Sequence, residues 1–146
     1  MTDLGKTALR QLALNAVAQH AGPTAGAEGL AAATRRAYDD LALVSAPLIG
    51  RAGVEALTGR ALHLSRREYR WLVHTPGREH AEAPFAQFIF SLERQDPAVA
   101  TEAAGAVLST FTGLLVTFIG ESLTARLLRK AWPGAFPDAG TKETKA

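Results

Sequence analysis

The chain of 146 residues has no cysteine. Disulfide staples, zinc–thiolate sites and thiol nucleophiles are therefore excluded. An excess of one charge is nearly lacking too, with a formal net charge of +2. Although the sequence pI is about 9.3, so small a surplus is a weak pointer to a polyanionic partner. Long alternating runs of Val, Ile and Thr are missing, which argues against sheets. Catalytic motifs are missing as well. Gly5-Lys6-Thr7 has the end of a phosphate-binding loop without the earlier glycine and the strand that such a loop needs. Nothing supplies a nucleophile with its base, so an enzyme is the least supported class and no cofactor is implied. Met1 to Gly22 lacks a basic leader and a continuous apolar core, because Gln11, Asn15, Gln19 and His20 interrupt it, and the expected compartment is the cytosol.

What the chain does have is alanine and a helical spacing of apolar side chains. Hydrophobic residues make up 47% of the total, and their periods of three and four predict an all-α bundle of five or six helices. The length suits one helical domain over 1–136, followed by a disordered tail over 137–146 in which Lys and Glu alternate after Gly140. The Arg and Ala bias has a bacterial look.

Taken in order, Leu4 to His20 reads as a short amphipathic helix, closed by Gly22-Pro23. Ala27 to about Ile49 resumes the pattern. Its exposed face carries two pairs at i,i+4 spacing, Arg35 with Asp39 and Arg36 with Asp40. Pro47 predicts a kink or break between Ala46 and Gly50. A further helix covers Arg51 to Leu64, and Ser65-Arg66-Arg67-Glu68 reads as a capping box that starts a short helix. His74 to Pro84 reads as the longest polar loop, followed by a short aromatic helix over Phe85 to Glu93.

The last hydrophobic stretch, Asp96 to Trp132, reads as one long helix around which the others pack. Asp96 is the expected N-cap, Pro97 the first helical residue, and Pro133-Gly134 the stop. Residues 103–120 are uncharged, which is the lower length limit for a membrane span. Arg126, Arg129 and Lys130 beyond that segment, together with Ser109, Thr110, Thr112 and Thr117 within it, favour a core or interface helix over a span. Membrane association stays as the alternative.

Four constellations stand out. Gly105, Ser109 and Gly113 form a small-residue row that lets another helix approach closely, here a candidate homodimer seam. Glu121, directly after the apolar centre, suits a structural ion pair with Arg51. Phe85, Phe88, Phe111, Leu115 and Phe118 are a candidate apolar pocket, the basis of a small-molecule sensor reading. Finally, Leu48-Ile49-Gly50-Arg51 and Phe118-Ile119-Gly120-Glu121 lie seventy residues apart, each followed by Leu-Thr-x-Arg-x-Leu. The downstream copies lie sixty-six residues apart, so the first carries about one extra helical turn, and a duplicated helical unit is one reading of the pattern.

Two weaker clusters complete the inventory. His63, His74 and His80 fall near Glu68, Glu79 and Glu82, but no spacing matches a helical metal site. Arg60, Arg66, Arg67, Arg70 and Arg78 surround Tyr69 and Trp71 without a paired helix to aim them into a groove, so nucleic acid is disfavoured as a partner. The reading that remains is a non-enzymatic interaction or regulatory module whose partner is another protein or a second copy of itself.

Overall fold

The computed structural model describes residues 5–22, 25–72 and 84–136. Among them are five α-helices and no strand: α1 (Lys6–Ala21), α2 (Ala27–Ser65), α3 (Pro84–Leu92), α4 (Pro97–Ile119) and α5 (Glu121–Ala131), then a single 3-10 turn, Pro133–Ala135. The all-α bundle is thus as predicted. The tail after 136 and the polar loop, with His74, Arg78, Glu79, His80 and Glu82, lie outside the described residues.

The helix starts follow local chemistry. Asp96 caps α4 by accepting the Ala98 N–H at 3.2 Å, with Pro97 at the first position, where no donor is needed. The single long C-terminal helix is not observed. It breaks at Gly120, whose φ of 96° and ψ of 157° suit almost no residue but glycine. Its apolar period runs on across the break, so the wheel alone does not reveal it. Helix α2 breaks likewise, at Gly50 (φ 81°, ψ 158°), inside the predicted window but three residues after Pro47, which itself stays helical. Helix α2 also runs on through Ser65, so the expected capping box does not form. The Ser65 carbonyl accepts from Glu68 and Tyr69, while its hydroxyl is buried with no partner among the described residues.

The two long arms, 27–49 of α2 and α4, lie side by side and run in the same direction. Leu30 near the start of one lines a cleft with Pro97, Ala98 and Thr101 at the start of the other. Further along, Tyr38 meets Phe111 edge-on, with ring centroids 6.0 Å apart. Both glycine breaks therefore fall toward the same end. The second arm of α2 folds back along the first, where the Tyr38 hydroxyl lies 2.7 Å from Thr58 Oγ1. Helix α5 turns back as well, and its end is tied to α2 by Trp132, whose indole N–H donates to the Ala37 carbonyl at 2.9 Å.

Six equivalent positions are buried in both arms, although Gly105, Ala106, Leu108 and Thr112 of the second are buried where Arg35, Arg36, Tyr38 and Ala42 of the first are not. Leu30, Ala33, Thr34, Ala37, Leu41 and Ser45 are buried in the first, and seventy residues later so are Ala100, Ala103, Ala104, Val107, Phe111 and Leu115. After the breaks, Thr58, Ala61, Leu62 and Ser65 match Thr124, Leu127, Leu128 and Ala131 at the sixty-six-residue offset, again all buried. Both threonines donate to the carbonyl four residues back, Val54 and Gly120 respectively. The repeated sequence thus has one local structure, a long arm, a glycine at positive φ and a returning arm.

Candidate docking surface

The small-residue row meets a helix of its own chain at Gly105. A methyl group at Gly105 would come within 2.7 Å of Leu14 Cδ2 and 3.3 Å of Arg10 Cδ, and one at Gly113 would lie 3.8 Å from Leu9 Cδ1. The approaching helix is α1, antiparallel to α4. Gly105 is therefore taken up by a contact within the chain, buried under α1. Farther along, Ser109 and Gly113 line a groove of about 710 Å³ with Lys6, Arg10, Gln11 and Glu68. The Ser109 hydroxyl is engaged on its own helix, donating to the Ala106 carbonyl.

The aromatic constellation divides. Phe85, Phe88, Phe111 and Leu115 are buried, whereas Phe118 is 64% exposed. Phe85 stacks on Tyr38 with centroids 3.8 Å apart and meets Phe88 at 5.5 Å, so these rings pack one another as core. Phe118 was expected to face inward with them. It does not, because α5 leaves at Gly120 and no described residue continues the covering face beyond α4.

Arg51 and Glu121 occupy the same place, the first residue after each glycine, and both are exposed. In that setting an ion pair contributes little to stability. Of the helix-surface pairs, Arg35 and Asp39 meet at 3.7 Å, while Asp40 is 3.4 Å from His20 Nε2 in place of the expected Arg36. His20 reaches Asp40 because α1 passes over α2, a tertiary contact that outranks the i,i+4 spacing.

The basic stretch after α2 is a turn in which Tyr69 and Trp71 meet edge-on at 5.9 Å. Arg10 and the Glu68 and Glu102 carboxylates lie near Tyr69, whose pKa is raised by burial first and by those carboxylates second. His63 is exposed and within 3.2 Å of Arg66 Nη2. Among the described residues no three His, Asp or Glu side chains are grouped so as to hold a metal ion.

What the geometry adds is an apolar end. Among the described residues four large hydrophobic side chains are exposed, and three of them, Leu43, Leu48 and Phe118, lie on the glycine-break halves of the two long arms. Leu48 and Phe118 are equivalent positions, each two residues before its glycine. Their sequence signal was the repeated apolar-Ile-Gly triplet, which marks both breaks. Leu43 carried no such signal, since it lies off the three-and-four spacing of Leu41, Val44 and Leu48. Helices α2 and α4 are both long and apolar enough to cross a membrane by length and composition. Half of the most apolar window in α4 is buried in the fold, against 22% of that in α2.

No protein-family model matches the chain, and no curated protein and no solved structure is similar to it.

Proposed function

We propose that the chain is a non-enzymatic docking module whose working surface is the end of the bundle that carries both glycine breaks. The observation behind this is that Leu43, Leu48 and Phe118, at 74%, 49% and 64% exposure, lie on the glycine-break halves of the two long arms, in a bundle whose other large apolar side chains are mostly covered. Single exposed apolar side chains are ordinary; their recurrence at equivalent positions, Leu48 and Phe118, each two residues before its glycine, is what supports an interaction surface. The exposed Pro47, Gly50 and Gly120 beside them give the rim a low-relief backbone that a partner can approach closely. The expected compartment is the cytosol, and the surface belongs to a protein contact in preference to a lipid one.

Because the chain has no cysteine of its own, a single introduced thiol reports cleanly on access. Leu48→Cys, Phe118→Cys and a control at the exposed Ala32 are labelled with a permeant maleimide in producing cells and again in dilute purified protein. Occlusion of positions 48 and 118 in cells, with position 32 open and all three open in dilute solution, is the expected result. Equal labelling of all three in cells overturns the docking reading.

A further inference from the structure

We infer that the groove between α1 and α4 is a binding site for a small amphiphilic monoanion, a carboxylate with an apolar tail, held by its head at Lys6. The inference goes beyond the docking reading and does not depend on it, since none of Leu43, Leu48 and Phe118 lines this groove. At about 710 Å³ the space is of the size that takes a small molecule. The aromatic side chains expected to form such a pocket pack on one another as core, and the open space lies here instead.

Gly113 makes the room. At Gly105 a Cβ would strike Leu14 at 2.7 Å, so the approach of α1 accounts for that glycine. At Gly113 a Cβ would meet only Leu9 Cδ1, at 3.8 Å, an ordinary contact that does not require a glycine. An interior helical glycine weakens its helix relative to alanine. What the missing side chain leaves is an open floor, with Leu9, Leu114 and Val116 exposed to whatever enters. An apolar tail is removed from water there.

The two walls differ in what they offer a headgroup. On the α4 side the Ser109 and Thr110 hydroxyls both donate to the Ala106 carbonyl, at 3.1 and 2.7 Å, so each has only acceptor lone pairs left. On the α1 side Lys6 and Arg10, one helical turn apart, supply N–H donors. A carboxylate is thus drawn to α1 and kept off α4. Glu68 lines the groove as well, so its charged groups are two cations against one carboxylate, a surplus that suits one negative charge better than two. Arg10 and Glu68 share the neighbourhood of Tyr69. Lys6, exposed and in no ion pair among the described residues, is the charge left for a ligand.

The test is isothermal titration calorimetry of the intact chain with decanoate below its micellar range. Two controls accompany it, decanol, which keeps the tail without the charge, and acetate, which keeps the charge without the tail. Saturable uptake of a single decanoate per chain is expected, with decanol roughly tenfold weaker and acetate not detected. Absence of saturable decanoate binding overturns the site, and decanol bound as tightly as decanoate overturns its anionic class. Lys6→Glu should weaken decanoate by roughly tenfold and Lys6→Arg should preserve it. Gly113→Leu fills the floor and should remove binding. Because Lys6 is exposed, its variants leave the core untouched, and the test stands whether or not α4 accepts the leucine. Decanoate bound equally well by Lys6→Glu and by Gly113→Leu sits elsewhere on the bundle and overturns the groove. The labelling at positions 48 and 118 is read separately, so either proposal can fall without the other.

Discussion

Tyr38 shows how much one side chain joins in this fold. Its ring stacks on Phe85 of α3 and meets Phe111 of α4, while its hydroxyl reaches Thr58 on the returning arm of α2. The Thr58 proton is directed to the Val54 carbonyl at 2.8 Å, which leaves the phenol to donate and the threonine oxygen to accept. Tyr38→Phe removes that donor without stranding Thr58, so the expected loss is about 1 kcal/mol in chemical denaturation. Burial also raises the Tyr38 pKa above the ordinary 10.0. The unfolded chain therefore releases this proton first as pH rises, and binds fewer protons than the folded chain above that value. Stability from this group is fully present below pH 10.0 and is lost as pH climbs toward the raised folded value. Tyr69 acts with the same sign. Denaturation midpoints measured against pH should thus fall less steeply above pH 10.0 in Tyr38→Phe than in the parent chain. Identical slopes would remove Tyr38 from the alkaline response.

Among the elements, the glycine breaks decide the shape. Gly50 and Gly120 have positive φ with open space where a Cβ would stand, so an alanine there meets no neighbour and suffers only from its backbone. Gly120→Ala should cost about 1–3 kcal/mol, because φ near 96° with an extended ψ is essentially reserved to glycine. Gly59, helical and equally open, is the control: Gly59→Ala should stabilise by about 0.5–1 kcal/mol through helix propensity. Thermal melts of the two variants moving in the same direction would overturn the strained-glycine account. These elements also show what could be read without coordinates. Asp96-Pro97 and Gly22 announce their helix ends because caps and breakers act within a few residues. Gly120 was hidden because an interior glycine costs a helix only about 1 kcal/mol and so need not end it, and only the repeated Ile-Gly pattern set it beside Gly50. Phe118 was assigned to the core because a helical wheel assumes that its covering partner runs the full length. The row at Gly105 did announce a close helix contact, but sequence spacing carries no sign of whose helix arrives, and here it is α1. That α1 arrives before α4 in the chain yet packs antiparallel on it is a long-range fact that no local signal encodes.

At the scale of the whole molecule, the two repeated units share one core and do not form two. Leu41 and Phe111 are equivalent positions, at 0% and 1% exposure, and belong to the same buried cluster. Trp132 closes the second unit yet donates its hydrogen bond to Ala37 of the first. Neither unit has an apolar face that it can bury alone, so both should unfold in one step, as chains of this size commonly do. A truncation in either unit must then be felt by both. Leu41→Ala in the first unit should cost about 2–5 kcal/mol and Phe111→Ala in the second about 3–5 kcal/mol, the range for emptied core positions. The chain has two tryptophans, and in a Trp71→Phe background Trp132 alone reports fluorescence from the contact between the units. The expected outcome is that urea transitions followed by far-ultraviolet circular dichroism and by Trp132 fluorescence coincide in the parent chain and shift together in either variant. Independent units would instead make Leu41→Ala biphasic, with helix lost in the first unit before the second. Coincident curves tie the docking end to the core as well. Arms that unfold only together hold Leu48 and Phe118 in fixed register, and a docking surface built from both arms needs that register.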